Sequence, residues 1–118
     1  MKDLISDQFQ TSVDEVLTRH KSILDIMAKL QDADTRVNRA IAKAVTNCGC
    51  IEIHATKQDF GDGECLRDYH DKMNSHIKGK LCDNCRDVLE KELGTNMFYL
   101  AALCNSMGIS LYDVMLKE

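Results

Sequence analysis

The chain has no proline and no tryptophan, and aromatic residues fill only 5% of its 118 positions. Without proline, no helix has to break for want of a backbone N–H. With so few aromatics, one of the usual fillings of a sheet is missing. What remains is rich in Leu, Ile, Met, Ala, Lys, Glu and Asp, a mixture that favours helices joined by short turns. The fold class expected is all-α, a helical bundle. Nowhere do about 18 apolar residues run together, as a membrane span requires. The opening Met1-Lys2-Asp3-Leu4-Ile5-Ser6-Asp7 also lacks the apolar stretch of a secretion signal. No membrane partner and a cytoplasmic location are therefore expected. Lys plus Arg is 15 against 19 for Asp plus Glu, net −4, with no basic block to neutralise phosphates in bulk. Nucleic acid is not expected as a partner. The length is that of one domain, spanning 1–118, with a modest core.

What the chain does have is six cysteines, which without a secretion signal should be mostly reduced and so point to metal or thiol chemistry more than to a disulfide framework. Four of them form two short-spaced pairs, Cys48-Gly49-Cys50 and Cys82-Asp83-Asn84-Cys85. Structural zinc sites take four Cys or His ligands, usually as two such pairs, because each pair is a compact turn that offers two ligands at once. Cys-x-x-Cys is the usual spacing; in the other pair, glycine lets the backbone turn tightly enough to present both thiols. The segment 48–85 is poor in apolar residues and reads as a cysteine-containing insertion that a bound metal would close. His54 or Cys65 would substitute if one of the four is not a ligand. Free thiols and a redox or iron-sulfur centre are the alternatives. Cys104, on an apolar helix face, reads as core.

Around this insertion the periodicity is helical. Phe9, Val13, Val16, His20, Ile23, Met27 and Leu30 alternate at spacings of four and three, predicting one helix from Ser6 to about Gln31 with a seam that Leu17, Leu24 and Ile26 widen. So wide a face suits a bundle or a dimer interface, with His20 a packed histidine within it. Asp32-Ala33-Asp34-Thr35 supplies caps for a second helix through Val37, Ile41, Ala44 and Val45 to about Asn47, stopped by Cys48-Gly49-Cys50. Ile51 to Ala55 alternates too briefly for more than an extended linker or an isolated strand. Lys57 to Glu64 is a loop, and Cys65 to Ile77 a thin helix through Leu66, Tyr69 and Met73, ended by Lys78-Gly79-Lys80. Asp83 caps a long helix to about Met107 whose core face is Leu89, Leu93, Met97, Leu100, Cys104 and Met107. After Gly108, Ser110 and Asp113 form a capping box for a last short helix.

The run Glu92-Leu93-Gly94-Thr95-Asn96-Met97-Phe98-Tyr99-Leu100-Ala101-Ala102-Leu103, followed by Gly108-Ile109-Ser110-Leu111-Tyr112-Asp113-Val114, resembles the C-terminal half of MazG-like nucleoside triphosphate pyrophosphohydrolases. The resemblance implies a helical homodimer that binds a nucleotide and holds Mg²⁺ with carboxylates from an E-x-x-E motif on an early helix and an E-x-x-D motif on a later one. A hard cation bridging phosphates needs several such oxygens. Glu92 matches the later glutamate and is the one candidate catalytic or cofactor-binding residue, while Thr95 stands at the aspartate position. Earlier, Asp14, Glu15 and Asp25 form no E-x-x-E pair, and Arg36-Val37-Asn38-Arg39 stands where acids would be useful. Arg36 and Arg39 read either as phosphate contacts or as a solvated face. The function expected is a MazG-like module with a degenerate magnesium site and a structural cysteine metal site, binding a nucleotide or a protein. The alternatives are an active magnesium-dependent pyrophosphohydrolase that recruits Asp87, Glu90, Asp59 or Asp62, and a thiol redox or iron-sulfur sensor.

Overall fold

Ser22 decides where the second helix begins. Its backbone is extended (φ −62°, ψ 137°) and its Oγ accepts from the Leu24 N–H at 3.3 Å, satisfying one of the donors that a helix start leaves free. The structure, a computed structural model, describes residues 4–17, 21–58 and 73–118. In it α1 spans Leu4–Val16 and α2 spans Ile23–Lys43. The single helix expected over Ser6–Gln31 is therefore two, because the Ser22 cap competes successfully with helix continuation. Val13 and Ile26 stay in the core, whereas Val16, Leu24 and Met27 are exposed; His20 lies outside the described residues.

The boundary expected at Asp32 is absent, and α2 runs straight through it. Asp32 and Thr35 are satisfied within the helix, not at its end: Asp32 Oδ2 pairs with Arg36 Nε at 3.1 Å, and Thr35 Oγ1 donates to the Gln31 carbonyl at 3.1 Å. Both are contacts between residues four apart on one helical face. After Lys43 the helix widens into a π turn, Ala44–Cys48, closed by the Gly49 N–H on the Ala44 carbonyl at 2.8 Å. Gly49, at φ 79°, ends it, as the Cys48-Gly49-Cys50 stop predicts.

The strand β1, Ile51–Ile53, pairs antiparallel with β2, Ile77–Gly79, in the register Ile51 to Gly79, Glu52 to Lys78 and Ile53 to Ile77. Ile51–Ala55 is thus neither a linker nor an isolated strand, and the thin helix expected to reach Ile77 does not: Met73–His76 is irregular and Ile77 is in the ribbon. The earlier part of that helix, with Cys65, Leu66 and Tyr69, and most of the loop at Lys57–Glu64 lie outside the described residues. β2 leads into α3, Asp83–Met107, and then into α4, Leu111–Lys117. The architecture is mostly helical with one small ribbon, consistent with an all-α class.

α2 packs antiparallel along α3, with Ile26 near Ala102 at one end and Asp34 accepting from the Asn96 side chain further along. The buried face of α3 differs from the one expected. Leu93, Met97, Leu100 and Met107 are 43, 54, 40 and 59% exposed, and the core comprises Ala101 and Ala102 against Val13 and Ile26, with Phe9, Leu17, Phe98, Leu103 and Leu111 packed around them. Small alanines let the helices approach closely, so the contact face is rotated away from the larger side chains. Cys104 is buried, as expected. No single helix among the described residues is long and apolar enough to cross a membrane.

At Gly108 (φ 67°) the chain turns by 103° into α4, with the Ile109 N–H on the Cys104 carbonyl at 2.8 Å in the manner of a helix-ending left-handed residue. Ser110 Oγ accepts from the Asp113 N–H at 3.3 Å, the expected cap. One α1 side chain fixes this corner. Gln10 Nε2 donates to the Ile109 carbonyl at 2.6 Å, its Oε1 accepts from the Leu111 N–H at 2.8 Å, and Asn105 Nδ2 donates to the Gln10 carbonyl at 2.9 Å. Replacing Gln10 by alanine removes both side-chain bonds and leaves their backbone partners without them. Gln10→Ala should cost about 2 kcal/mol and lower the melting temperature by several degrees; an unchanged thermal midpoint would show that the corner is held by something else.

Candidate metal centre

Because α2 and α3 are antiparallel, the C-terminal end of one lies beside the N-terminal start of the other. The two cysteine pairs occupy these two ends. Cys48 closes the π turn and Cys50 follows Gly49; Cys82 is the N-cap of α3 and Cys85 lies in its first turn. The Sγ atoms of Cys48, Cys50, Cys82 and Cys85 all lie within 4.8 Å of one another, and Cys48 Sγ is 3.8 Å from Cys82 Sγ. For a tetrahedral thiolate site with metal–sulfur bonds of about 2.3 Å, the edge between sulfurs is about 3.8 Å. Four closely placed cysteines of this kind can hold a metal ion.

The local backbone explains how two distant pairs arrive together. Gly49 in the left-handed region reverses the chain between its two cysteines, a conformation that costs a residue with a Cβ about 1–2 kcal/mol. The ribbon then brings residues 77–79 back against the knuckle: a Cβ on Gly79, itself at φ 89°, would stand 2.5 Å from the Cys50 carbonyl oxygen. Only glycine permits that approach. Two residues beyond β2 the chain reaches Leu81 and the start of α3.

At that start, Cys82 Sγ accepts from the Cys85 N–H at 3.4 Å, so sulfur takes the place of the usual capping oxygen. That backbone hydrogen bond, joined by one from the Cys85 thiol, lowers the Cys82 pKa to about 7. Cys85 moves the other way, to about 12, because its proton is held against Cys82 and because its surroundings are desolvated. The positive end of the α3 dipole also favours a thiolate here. Without a metal, Cys82 therefore ionises before Cys48 and Cys85. Cys50 Sγ points back to the Ala44 carbonyl at 3.9 Å.

All four cysteines named from the sequence are brought together, so neither substitute is required. His54 is instead engaged with Glu52, Nε2 to Oε2 at 2.9 Å, which holds the Glu52 carboxyl below its usual range; Cys65 lies outside the described residues. Cys104 is remote in the core, where burial pushes its thiol up. The residues implied by the pyrophosphohydrolase resemblance lie elsewhere. Glu92 lines a groove of about 390 Å³ between α2 and α3 with Asp32, Arg36, Arg39, Lys43 and Val88, while Thr95 donates to the Lys91 carbonyl at 3.2 Å. Sequence reasoning missed Asp32 as a neighbour of Glu92, because it treated Asp32 as a helix cap. A larger recess of about 810 Å³ at the α1, α3 and α4 corner gathers Asp7, Tyr112 and Asp113 but no cation and no thiol.

In the metal-free protein, alkylation of Cys82 should accelerate as pH rises through about 7, since the thiolate is the nucleophile and is lost as pH falls through that value. Cys85 should stay inert until far more alkaline pH. Peptide mapping after brief iodoacetamide treatment between pH 6 and 9 checks the order; equal labelling of the two at neutral pH would refute it. Comparisons with protein-family models, with curated proteins and with solved structures give no match to this chain.

Proposed function

We propose that Cys48, Cys50, Cys82 and Cys85 hold one structural zinc ion, and that the helices it clamps form a MazG-like binding module without the family's catalytic magnesium site. The observation that carries this reading is the sulfur spacing. Four sulfurs within 4.8 Å of one another suit ligation of a single ion, whereas a cluster of two or four irons interposes inorganic sulfide and spreads its ligand pairs apart. A sensor that cycles through a disulfide needs two thiols; this centre brings four within 4.8 Å of one another. The benefit to the fold is direct. A ribbon of three residues per strand does not hold itself in water, and a structural zinc supplies about 10 kcal/mol or more of binding energy to whatever it closes.

The groove at Glu92 supports binding over turnover. Magnesium takes one or two free carboxylates together with waters and phosphate oxygens; of the two acids here Asp32 is already paired with Arg36, and Arg39 and Lys43 add positive charge that opposes a cation. Asp87 and Glu90, the acids that an active enzyme would recruit, are exposed on α3 and do not line this groove; Asp59 and Asp62 lie outside the described residues. Purified protein should carry about one zinc per chain by elemental analysis and release no pyrophosphate from a panel of nucleoside triphosphates with Mg²⁺. Iron with a brown colour, or turnover of any of the panel, would overturn the corresponding half of the reading.

The partner proposed is a second copy of the chain. Among the described residues the two largest fully buried side chains are Val13 and Ile26, while Leu93, Met97 and Leu100 form an exposed apolar stripe along α3. A helix that is apolar on two sides is a helix packed on two sides. Sedimentation equilibrium should give twice the chain mass of 13.3 kDa, and Met97→Lys should shift it to a monomer; a parent protein that sediments as a monomer at high micromolar concentration would remove this proposal.

A further inference from the structure

The α2–α3 groove inverts the charge of the chain around it. Arg36, Arg39 and Lys43 stand at intervals of three and four along α2, on one helical face, and all three line the groove together with Asp32 and Glu92. The chain as a whole is net −4; this recess is net positive. Among the described residues no ion pair engages Arg39 or Lys43, and the Arg36 pair with Asp32 uses its Nε, which leaves the two terminal nitrogens of its fork uncommitted. Val88 and Ala40 supply an apolar wall, and the volume of about 390 Å³ is that of a small-molecule site.

From this arrangement we infer that the groove binds a small anion bearing a diphosphate group, directly and without a metal. Helical rise separates Arg39 from Lys43 by about 6 Å and Arg36 from Arg39 by about 4.5 Å along the axis, so the three cations form a row longer than one phosphate and matched to two joined ones. Guanidinium forks address phosphate oxygens two at a time, and the lysine adds a point charge. Glu92 sits at the α3 side of the same groove, where it repels the anion and accepts a hydrogen bond from a hydroxyl or amino group carried by the ligand. The groove also ends one turn from the metal centre on both helices: Lys43 adjoins the π turn that ends in Cys48, and Val88 lies three residues beyond Cys85. Closing the sulfur cluster therefore fixes how far apart the groove's two walls stand. The inference deepens the reading of the module as a binder that does not turn over its ligand, and rests on that reading.

Inorganic pyrophosphate is the probe, titrated calorimetrically into the full chain as purified, at low salt and at physiological salt. Binding with a dissociation constant below about 1 mM is expected. The double variant Arg39→Gln/Lys43→Gln should weaken it at least about tenfold, and Glu92→Gln should tighten it severalfold by removing the repelling carboxylate. Lys29→Gln/Lys117→Gln, which removes the same charge elsewhere, should leave it unchanged. Absence of measurable binding, equal weakening by both double variants, or loss of affinity in Glu92→Gln would overturn the proposal. Zinc content and circular dichroism of each variant establish that the fold is intact. A pyrophosphate signal from protein that lacks zinc would defeat the metal reading while leaving the groove in place; release of inorganic phosphate from the probe would keep the site and defeat the statement that it binds without turnover.

Discussion

Antiparallel helices bring their opposite ends together, and in this chain the ends that meet carry the sulfur. The C-terminal turn of α2 and the N-terminal turn of α3 converge with four Sγ atoms inside 4.8 Å. Four thiols so placed are poorly satisfied by one another, since sulfur is a weak donor and a weak acceptor, and ionising one of them, as at Cys82, raises the cost of ionising the next. A cation at their centre turns that mutual conflict into attraction. The ribbon, the left-handed glycine and the close pass of Gly79 over the Cys50 carbonyl all serve the same convergence.

Away from that end the helices are held by little. The contact between α2 and α3 is made through alanines, which bring the backbones close but bury little apolar area apiece. One polar link adds to it, from Asn96 to Asp34 across the two helices, and the Gln10 and Asn105 bonds tie α1 to the far corner of α3. α3 is thus pinned at its start by sulfur, at its middle by an amide and a carboxylate, and at its end by Gln10. Larger apolar groups, Leu93, Met97 and Leu100 among them, face outward. That outward apolar stripe is the feature on which the proposed second copy rests.

The parts legible in the sequence were those encoded locally. Both cysteine pairs, the left-handed turn at Gly49, the extent of α3 and the Ser110–Asp113 cap depend on residues within a few positions of one another, so spacing reveals them. The failures have the same physical origin in reverse. Asp32 and Thr35 have the chemistry of a helix cap, and only their bonds to Arg36 and Gln31 show that the helix continues through them. Ile51–Ile53 looked isolated because its partner strand lies about two dozen residues away, beyond the reach of local alternation. The core face of α3 is not legible from side-chain size, because close packing of two helices selects the small residues Ala101 and Ala102 for the contact and leaves Leu93, Met97 and Leu100 outside.

The chemistry of the groove follows from which charges α2 carries. A carboxylate row facing Glu92 would hold a divalent cation and, through it, a phosphate; a row of two arginines and a lysine meets the phosphate itself. The two arrangements differ in more than sign. A bridging metal polarises the phosphoryl group and assembles a water beside it, so binding and reaction share one device. Direct guanidinium contacts neutralise charge but supply no activated water, and Thr95, bonded to its own helix backbone, contributes no base. On the reading proposed above, a groove of this composition, with both walls ending near the sulfur cluster, would retain an anion and lack the carboxylate row that a bridging metal needs.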